Sequence, residues 1–262
     1  MTAIDLFAGV GGWDLAAREF GIDPLGIEID EAACATRDAA GLRTLRADLL
    51  TLKPFGPCDL LLASPPCQHF SASAPRRRVV SNKPYNIKRR NRWRAYSDQG
   101  PQLLRVPMEW ASVTRPSRIA FEQVPNVLPT WQEYARELEG DGYFTWPGVL
   151  NVSDYGVPQD RPRAILLAST AAPVAPPQPH PWRGAVLHPT IVCNRRSKGG
   201  IVLGRSLKQG GKAIPFSEAG AIQGFPLNYP WQGGVEAKSR QIGNPIPPPF
   251  ATALIGAALK GA

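Results

Sequence analysis

The stretch LLLASPPCQHFSASAPRRR, residues 60–78, brings a strand-like apolar run into Pro65 and Pro66, delivers Cys67, and reaches Arg76, Arg77 and Arg78 soon after. Neighbouring cations or backbone donors lower a thiol's pKa, and the thiolate is the attacking species. Two prolines also limit the freedom of the backbone that carries the sulfur. The stretch therefore poses a choice between a nucleophilic thiol and a buried structural cysteine. A second group of residues suits ligand binding. The turn DLFAGVGG, residues 5–12, lies between a predicted strand and a predicted helix, where backbone amides favour a carboxylate or phosphate. Glu28 ends the next strand-like run and Asp48 the third; an acid at the first of these positions meets ribose hydroxyls in dinucleotide folds. Each acid alone reads as a surface residue. Together, three features at three successive strand ends indicate a nucleoside-type cofactor site.

Charge points to a second partner. Arg76, Arg77, Arg78, Lys83, Lys88, Arg89, Arg90, Arg92 and Arg94 form a block with no acid between Asp59 and Asp98. The whole chain has 30 Lys and Arg against 21 Asp and Glu, a net charge of +9, so this block accounts for the imbalance. With Tyr85, Trp93 and Tyr96 interleaved, it suits a polyanion with stackable bases. A solvated loop is the alternative.

The elements that must position these residues follow an alternating pattern. AIDLF (3–7), PLGIEID (24–30), TLRAD (44–48), CDLLLAS (58–64), RIAFEQV (118–124) and ILLA (165–168) read as strands, while WDLAAREF, EAACATRDAA and the final FATALIGAALKGA read as helices. Strand, turn and helix repeated in this way predict an α/β fold with a mostly parallel sheet. Ligands in such sheets sit at the C-terminal rim of the strands. Pro173, Pro176, Pro177, Pro179, Pro181 and Pro189 then mark a stiff linker, and residues 190–235 suggest a small irregular satellite.

DLFAGVGG, SPPCQHFS, FEQVPNV, VPQDRPRAILLAS, IQGFP and QIGNPIPPPFA occur in the order and approximate spacing of the signature blocks of DNA (cytosine-5) methyltransferases. The chain resembles that family from residue 3 to about residue 255. The resemblance implies a Rossmann-like class I methyltransferase fold with a mostly parallel seven-stranded sheet and a small, reduced target-recognition domain. Residues 1–170 and 236–262 would form the catalytic domain, 171–235 the linker and recognition region, and 74–97 a long basic loop. It further implies S-adenosylmethionine as cofactor, with S-adenosylhomocysteine as product. Phe7, Ala8, Gly9, Val10, Gly11 and Gly12 would surround the methionine part, Glu28 would take the ribose hydroxyls, Ile29 would pack on the adenine, and Asp48 with Leu49 would meet its edge. Pro66, Leu103, Asn244 and Ile246 match further cofactor-lining positions.

By the same resemblance Cys67 adds to carbon 6 of cytosine, which makes carbon 5 able to attack the cofactor's methyl group. Glu122 would bind ring nitrogen 3 and the exocyclic amine, while Arg161 and Arg163 would hold the base oxygen and position the cysteine and the backbone. Gln68, Ser71 and Ser73 match loop positions that touch the flipped nucleotide or its phosphates, and the nine cations would contact double-stranded DNA. The chain departs from the family in three places. Gln123 stands where Asn is usual, Pro215 and Ser217 stand where Thr and Arg are usual, and most of the recognition interval is Pro-rich linker. Gln123 retains an amide, so altered local hydrogen bonding with no loss of chemistry is expected there, whereas the two departures in the satellite suggest that recognition has moved partly to the basic loop.

Cys34, Cys58, Cys67 and Cys193 include no CxxC pair, and His69, His180 and His188 form no spaced ligand set. A disulfide framework or bound metal is not expected. No apolar run approaches the roughly 18–20 residues of a membrane span, and MTAIDLFAG lacks the basic start of a signal peptide. The expectation is a cytoplasmic monomer of prokaryotic or phage type. A catalytically idle nucleic-acid-binding relative and an RNA (cytosine-5) methyltransferase are the competing readings.

Overall fold

The computed structural model describes residues 1–66, 99–192, 196–197, 200–203 and 213–260. Its centre is a seven-stranded sheet built from β1 (Ala3–Leu6), β2 (Leu25–Glu28), β3 (Thr44–Arg46), β4 (Leu60–Ala63), β5 (Arg118–Gln123), β6 (Phe144–Asn151) and β8 (Pro162–Ser169), while β7 (Gln159–Asp160) lies outside it. The order is β3-β2-β1-β4-β5-β8-β6. The first five strands of that order pair in parallel, and β8 runs antiparallel to both of its neighbours. This is the α/β arrangement with a mostly parallel seven-stranded sheet that the motif blocks imply.

Both faces of the sheet are covered, so its central strands are apolar on both sides. In β4, Leu61 and Ala63 join one core cluster and Leu60 and Leu62 the other. Helices α3 (Gly100–Thr114) and α4 (Leu128–Gly140) supply Trp110, Trp131 and Leu138 to the first face. Helices α1 (Gly12–Arg18) and α7 (Pro248–Lys260) supply Trp13, Phe250, Leu254 and Ile255 to the second. Helix α2 (Glu31–Ala39) is capped by Asp30, whose Oδ1 accepts from the amides of Ala32 and Ala33 at 2.9 and 3.1 Å. Among the described residues no helix is long and apolar enough to cross a membrane.

The pattern reading names neither α3 nor α4 nor β6. Pro107 interrupts α3 from within, and Pro147 and Gly148 lie in β6. Each weakens the local signal, yet buried packing retains the helix and an edge position tolerates the strand's proline. The later chain forms β9 (His188–Pro189), which pairs with β7, then a three-stranded sheet of β10 (Arg196–Ser197), β11 (Gly200–Val202) and β12 (Ala213–Ile214). Helices α5 (Phe216–Ile222) and α6 (Val235–Gly243) follow. Ile201, Ala219, Phe225 and Tyr229 share one cluster with Val10, Ala33 and Ile242, so this region packs directly on the first βαβ unit.

Candidate active site

Because β1, β2, β4 and β5 are parallel, their C-terminal ends meet at one rim, and the sheet order reverses at β1, where such folds bind ligands. The turn after β1 has three residues in the left-handed region: Phe7 (φ 59°), Gly9 (φ 53°) and Gly11 (φ 93°). Glycine adopts this conformation freely; Phe7 is strained there and is held by its surroundings. Gly12 answers a different demand. A Cβ there would lie 2.1 Å from the Ile246 carbonyl oxygen, so its absence lets the segment after α6 approach the turn.

Glu28 closes β2 beside this turn. Its Oε2 accepts from the Gly9 amide at 2.8 Å, and its Oε1 accepts from the amides of Ile29 and Asp30 at 2.8 and 2.7 Å. Burial pushes the Glu28 carboxyl above its ordinary value, and the three amides oppose that shift. Beneath the turn, Arg37 donates through Nη1 and Nη2 to both oxygens of Asp14 at 2.8 and 2.7 Å, with both residues buried. Arg37 Nη1 also reaches the Ala8 carbonyl at 3.4 Å. A Cβ on Gly26 would meet this guanidinium at 1.8 Å, which accounts for glycine within β2.

At the end of β4, the Trp13 indole donates to Ser64 Oγ at 3.0 Å. The Gln123 amide bridges two backbone groups: Nε2 donates to the Pro65 carbonyl at 2.5 Å, and Oε1 accepts from the Val124 amide at 2.6 Å. Gln123 thus ties the segment leading to Cys67 to β5. The neighbouring Glu122 pairs with Arg163 at 2.7 Å, Oε1 to Nε, with side chains only 6% and 10% exposed. Arg161 donates to the carbonyls of Gly243, Asn244 and Pro245 at 3.1–3.3 Å, a cation set at the C-terminal end of α6.

These groups surround a cleft of ≈ 810 Å³ lined by Phe7, Ala8, Gly9, Val10, Gly12, Glu28, Ile29, Leu49, Pro66, Glu122, Arg161, Arg163, Asn244 and Ile246, among others. Three residues expected there do not line it. Gly11 lies against Leu42, Leu103 is fully buried within α3, and Asp48 uses Oδ1 to accept from the Leu50 amide. Cys67, Gln68, Ser71, Ser73 and the nine cations from Arg76 to Arg94 lie outside the described residues. The motif reading did not single out Trp13, Ser64, Pro65 and Gln123 as lining residues, although Trp13 adjoins a recognised motif and the other three lie within one. Gln232, Arg240 and Gln241 also line the cleft; Gln241 opens the QIGNPIPPPFA block, whereas Gln232 and Arg240 lie outside the recognised blocks and are brought in where α6 and the residues before it pack against α2. Among the described residues no group of three His, Cys, Asp or Glu side chains is placed to hold a metal ion.

A family model described as C-5 cytosine-specific DNA methylase matches residues 1–179. The chain belongs to that family. This methylase is similar to the type II methyltransferase M1.HphI of Haemophilus parahaemolyticus, at 24% identity over 99% of this chain and 87% of that protein. It is similar to M.NgoMIV of Neisseria gonorrhoeae at 24% identity over 97% of this chain and 95% of that protein. With M.XorII of Xanthomonas oryzae pv. oryzae it shares 27% identity over 68% of this chain, but only 42% of that protein's length. Two solved structures share the fold: the Entamoeba histolytica methyltransferase EhMeth (TM-score 0.72, 15% identity, 99% of this chain and 98% of that one) and the S. pombe Dnmt2 methyltransferase (TM-score 0.69, 15% identity, 99% and 98%).

Methylases of this family use S-adenosylmethionine, and the cleft fits that molecule. Glu28 offers an acceptor for a ribose hydroxyl: three amides occupy three of a carboxylate's roughly four lone-pair sites and leave one on Oε2. Ile27, Ile29 and Leu49 give apolar wall for an adenine, while Gly9, where an added Cβ would meet nothing nearer than the Phe7 carbonyl at 4.0 Å, leaves backbone uncovered.

Proposed function

We propose that this chain methylates carbon 5 of cytosine in double-stranded DNA, with S-adenosylmethionine as methyl donor, through a covalent Cys67 adduct on a nucleotide turned out of the duplex. The observation that carries this reading is the cleft where Glu28, the Pro65–Pro66 backbone and the Glu122–Arg163 pair converge. Glu28 and the turn at residues 7–12 would hold the cofactor, with Asn244 and Ile246, the latter packed against Gly12, completing that part of the lining. When bound, it supplies an electrophilic methyl group on a sulfonium.

The chain's own residues do the rest. Cys67, next in sequence to Pro66, adds as thiolate to carbon 6, and the ring becomes an enamine-like species nucleophilic at carbon 5. Glu122 holds nitrogen 3 and the exocyclic amine and shares its proton as negative charge builds on the ring. Arg163, paired with it, orients that carboxyl and meets the base oxygen. Once carbon 5 carries the methyl group, loss of its proton to water breaks the sulfur–carbon bond, restores the thiolate and returns the shared proton to Glu122. Turning the nucleotide out costs a few kcal/mol, offset by these contacts and by the basic segment at residues 76–94.

A 5-fluorocytosine duplex tests the chemistry, because fluorine at carbon 5 blocks the final elimination. Wild type should become trapped as a protein–DNA adduct, and Cys67→Ser should not. Absence of an adduct with wild type, or methylation of RNA in place of duplex DNA, would overturn the reading. The recognition role of residues 76–94 is tested by deleting them. Binding should weaken and lose much of its salt dependence, whereas unchanged binding with a long, strict target would refute it.

A further inference from the structure

The glycine turn is also held by a residue far from it in sequence and outside the cleft lining. The Tyr229 hydroxyl donates to the Val10 carbonyl. Tyr229 is 6% exposed, and its ring packs against Phe225 (centroids 5.0 Å, 57°) and Trp231 (4.9 Å, 64°). Trp231 lies over Gly220 of α5, where a Cβ would sit 2.6 Å from the indole. Helix α5 follows β12, the last strand of the three-stranded sheet. Burial pushes the Tyr229 phenol above its ordinary value, so the hydroxyl remains a donor at neutral pH.

The turn needs such support. Three of its residues are left-handed, one of them Phe7, and strained backbone persists only where its surroundings over-determine it. Arg37 contributes from beneath through the Ala8 carbonyl, and Tyr229 contributes from the opposite end of the sequence. We propose that Tyr229 is a positioning residue for cofactor binding, its hydroxyl fixing the Val10 carbonyl so that the turn keeps its binding shape while residues 225–231 are packed on α5. The proposal rests on reading the cleft as the S-adenosylmethionine site. By reciprocity of coupled equilibria, a ligand in the cleft must in turn steady residues 225–231.

Tyr229→Phe removes one hydroxyl and keeps the ring contacts. One hydrogen bond of ordinary net strength corresponds to about a five- to tenfold change in affinity. S-adenosylhomocysteine should therefore bind Tyr229→Phe about five- to tenfold more weakly by calorimetry, and KM for S-adenosylmethionine should rise by a similar factor. At saturating cofactor, kcat and the KM for DNA should match wild type, a split that loss of general stability would not produce. In wild type, S-adenosylhomocysteine should slow hydrogen exchange at the amides of Tyr229 and Trp231, which do not line the cleft. Wild-type affinity in Tyr229→Phe, whatever its melting temperature, overturns the proposal, as does unchanged exchange at those amides. Should the variant fail to fold, the wild-type exchange measurement decides alone. A wild-type chain that binds no S-adenosylhomocysteine would remove the cofactor reading itself, and the proposal with it.

Discussion

Gln123→Ala should separate positioning of the Cys67 segment from binding of the cofactor. Gln123 is 3% exposed and satisfies both the Pro65 carbonyl and the Val124 amide. Truncation leaves two polar groups without those partners, and an unsatisfied buried group costs about 1–3 kcal/mol. Because Gln123 lines the cleft, water can reach part of the space, which favours the low end of the range, about 2 kcal/mol in total. For a domain of this size that is a fall in Tm of about 4–8 °C, tolerable against a usual total stability of about 5–15 kcal/mol. The larger effect falls on rate. With the Pro65 carbonyl released, the residues leading to Cys67 can shift, and a displacement of about 1 Å at a reacting group costs about 10²-fold. Single-turnover methyl transfer should drop by about that factor. The affinity for S-adenosylhomocysteine should change less than about threefold, since Glu28 and the glycine turn make no bond to Gln123. Gln123→Asn, one methylene shorter, should fall between the two. A single-turnover rate equal to wild type, alongside the full loss in Tm, would show that the bridge is structural only and refute the reasoning.

Gly12→Ala places a carbon 2.1 Å from the Ile246 carbonyl, so the segment at residues 244–246 must retreat by roughly 1 Å. An overpacking cost of about 1–3 kcal/mol should appear in both Tm and cofactor affinity, measured by melting and calorimetry. Asp5 makes stability depend on pH. Burial, with the charge of Asp14 nearby, holds its carboxyl well above the ordinary range, so the folded chain keeps a proton that the unfolded chain releases. Its contribution therefore falls as pH rises from the ordinary aspartate value of about 3.9 toward the raised one. Asp5→Asn carries no such proton, so its Tm relative to wild type should rise as pH climbs above the ordinary aspartate range; a constant or falling difference would contradict this. Burial pushes the thiols of Cys34 and Cys58 up to about 11. Iodoacetamide at pH 8 should spare both in the native protein, as peptide mass mapping would reveal.

Much of this protein is legible along the chain because its chemistry is carried by short contiguous blocks. Gly9 and Gly11 signal a turn whose backbone only glycine adopts freely, and the continuous apolar run of β4 signals a strand buried on both faces. Glu28, Glu122 and Arg163 can be named from their places at strand ends and in motifs. Helix α3, interrupted by Pro107, and the edge strand β6, with Pro147, were not legible, because tertiary burial there outweighs local propensity.

Sequence by itself determined the sheet class, since strand and helix periods are local, and the resemblance of its motif blocks to a known family supplied the family of reaction. Tertiary structure alone decided that Gly11 packs on Leu42 and Leu103 is buried within α3, that Gln123 bridges Pro65 to Val124, and that Gln232, Arg240 and Tyr229 come back to the first βαβ unit. Those contacts join residues as many as 219 positions apart, and no local pattern records a pairing that exists only once the chain has closed on itself.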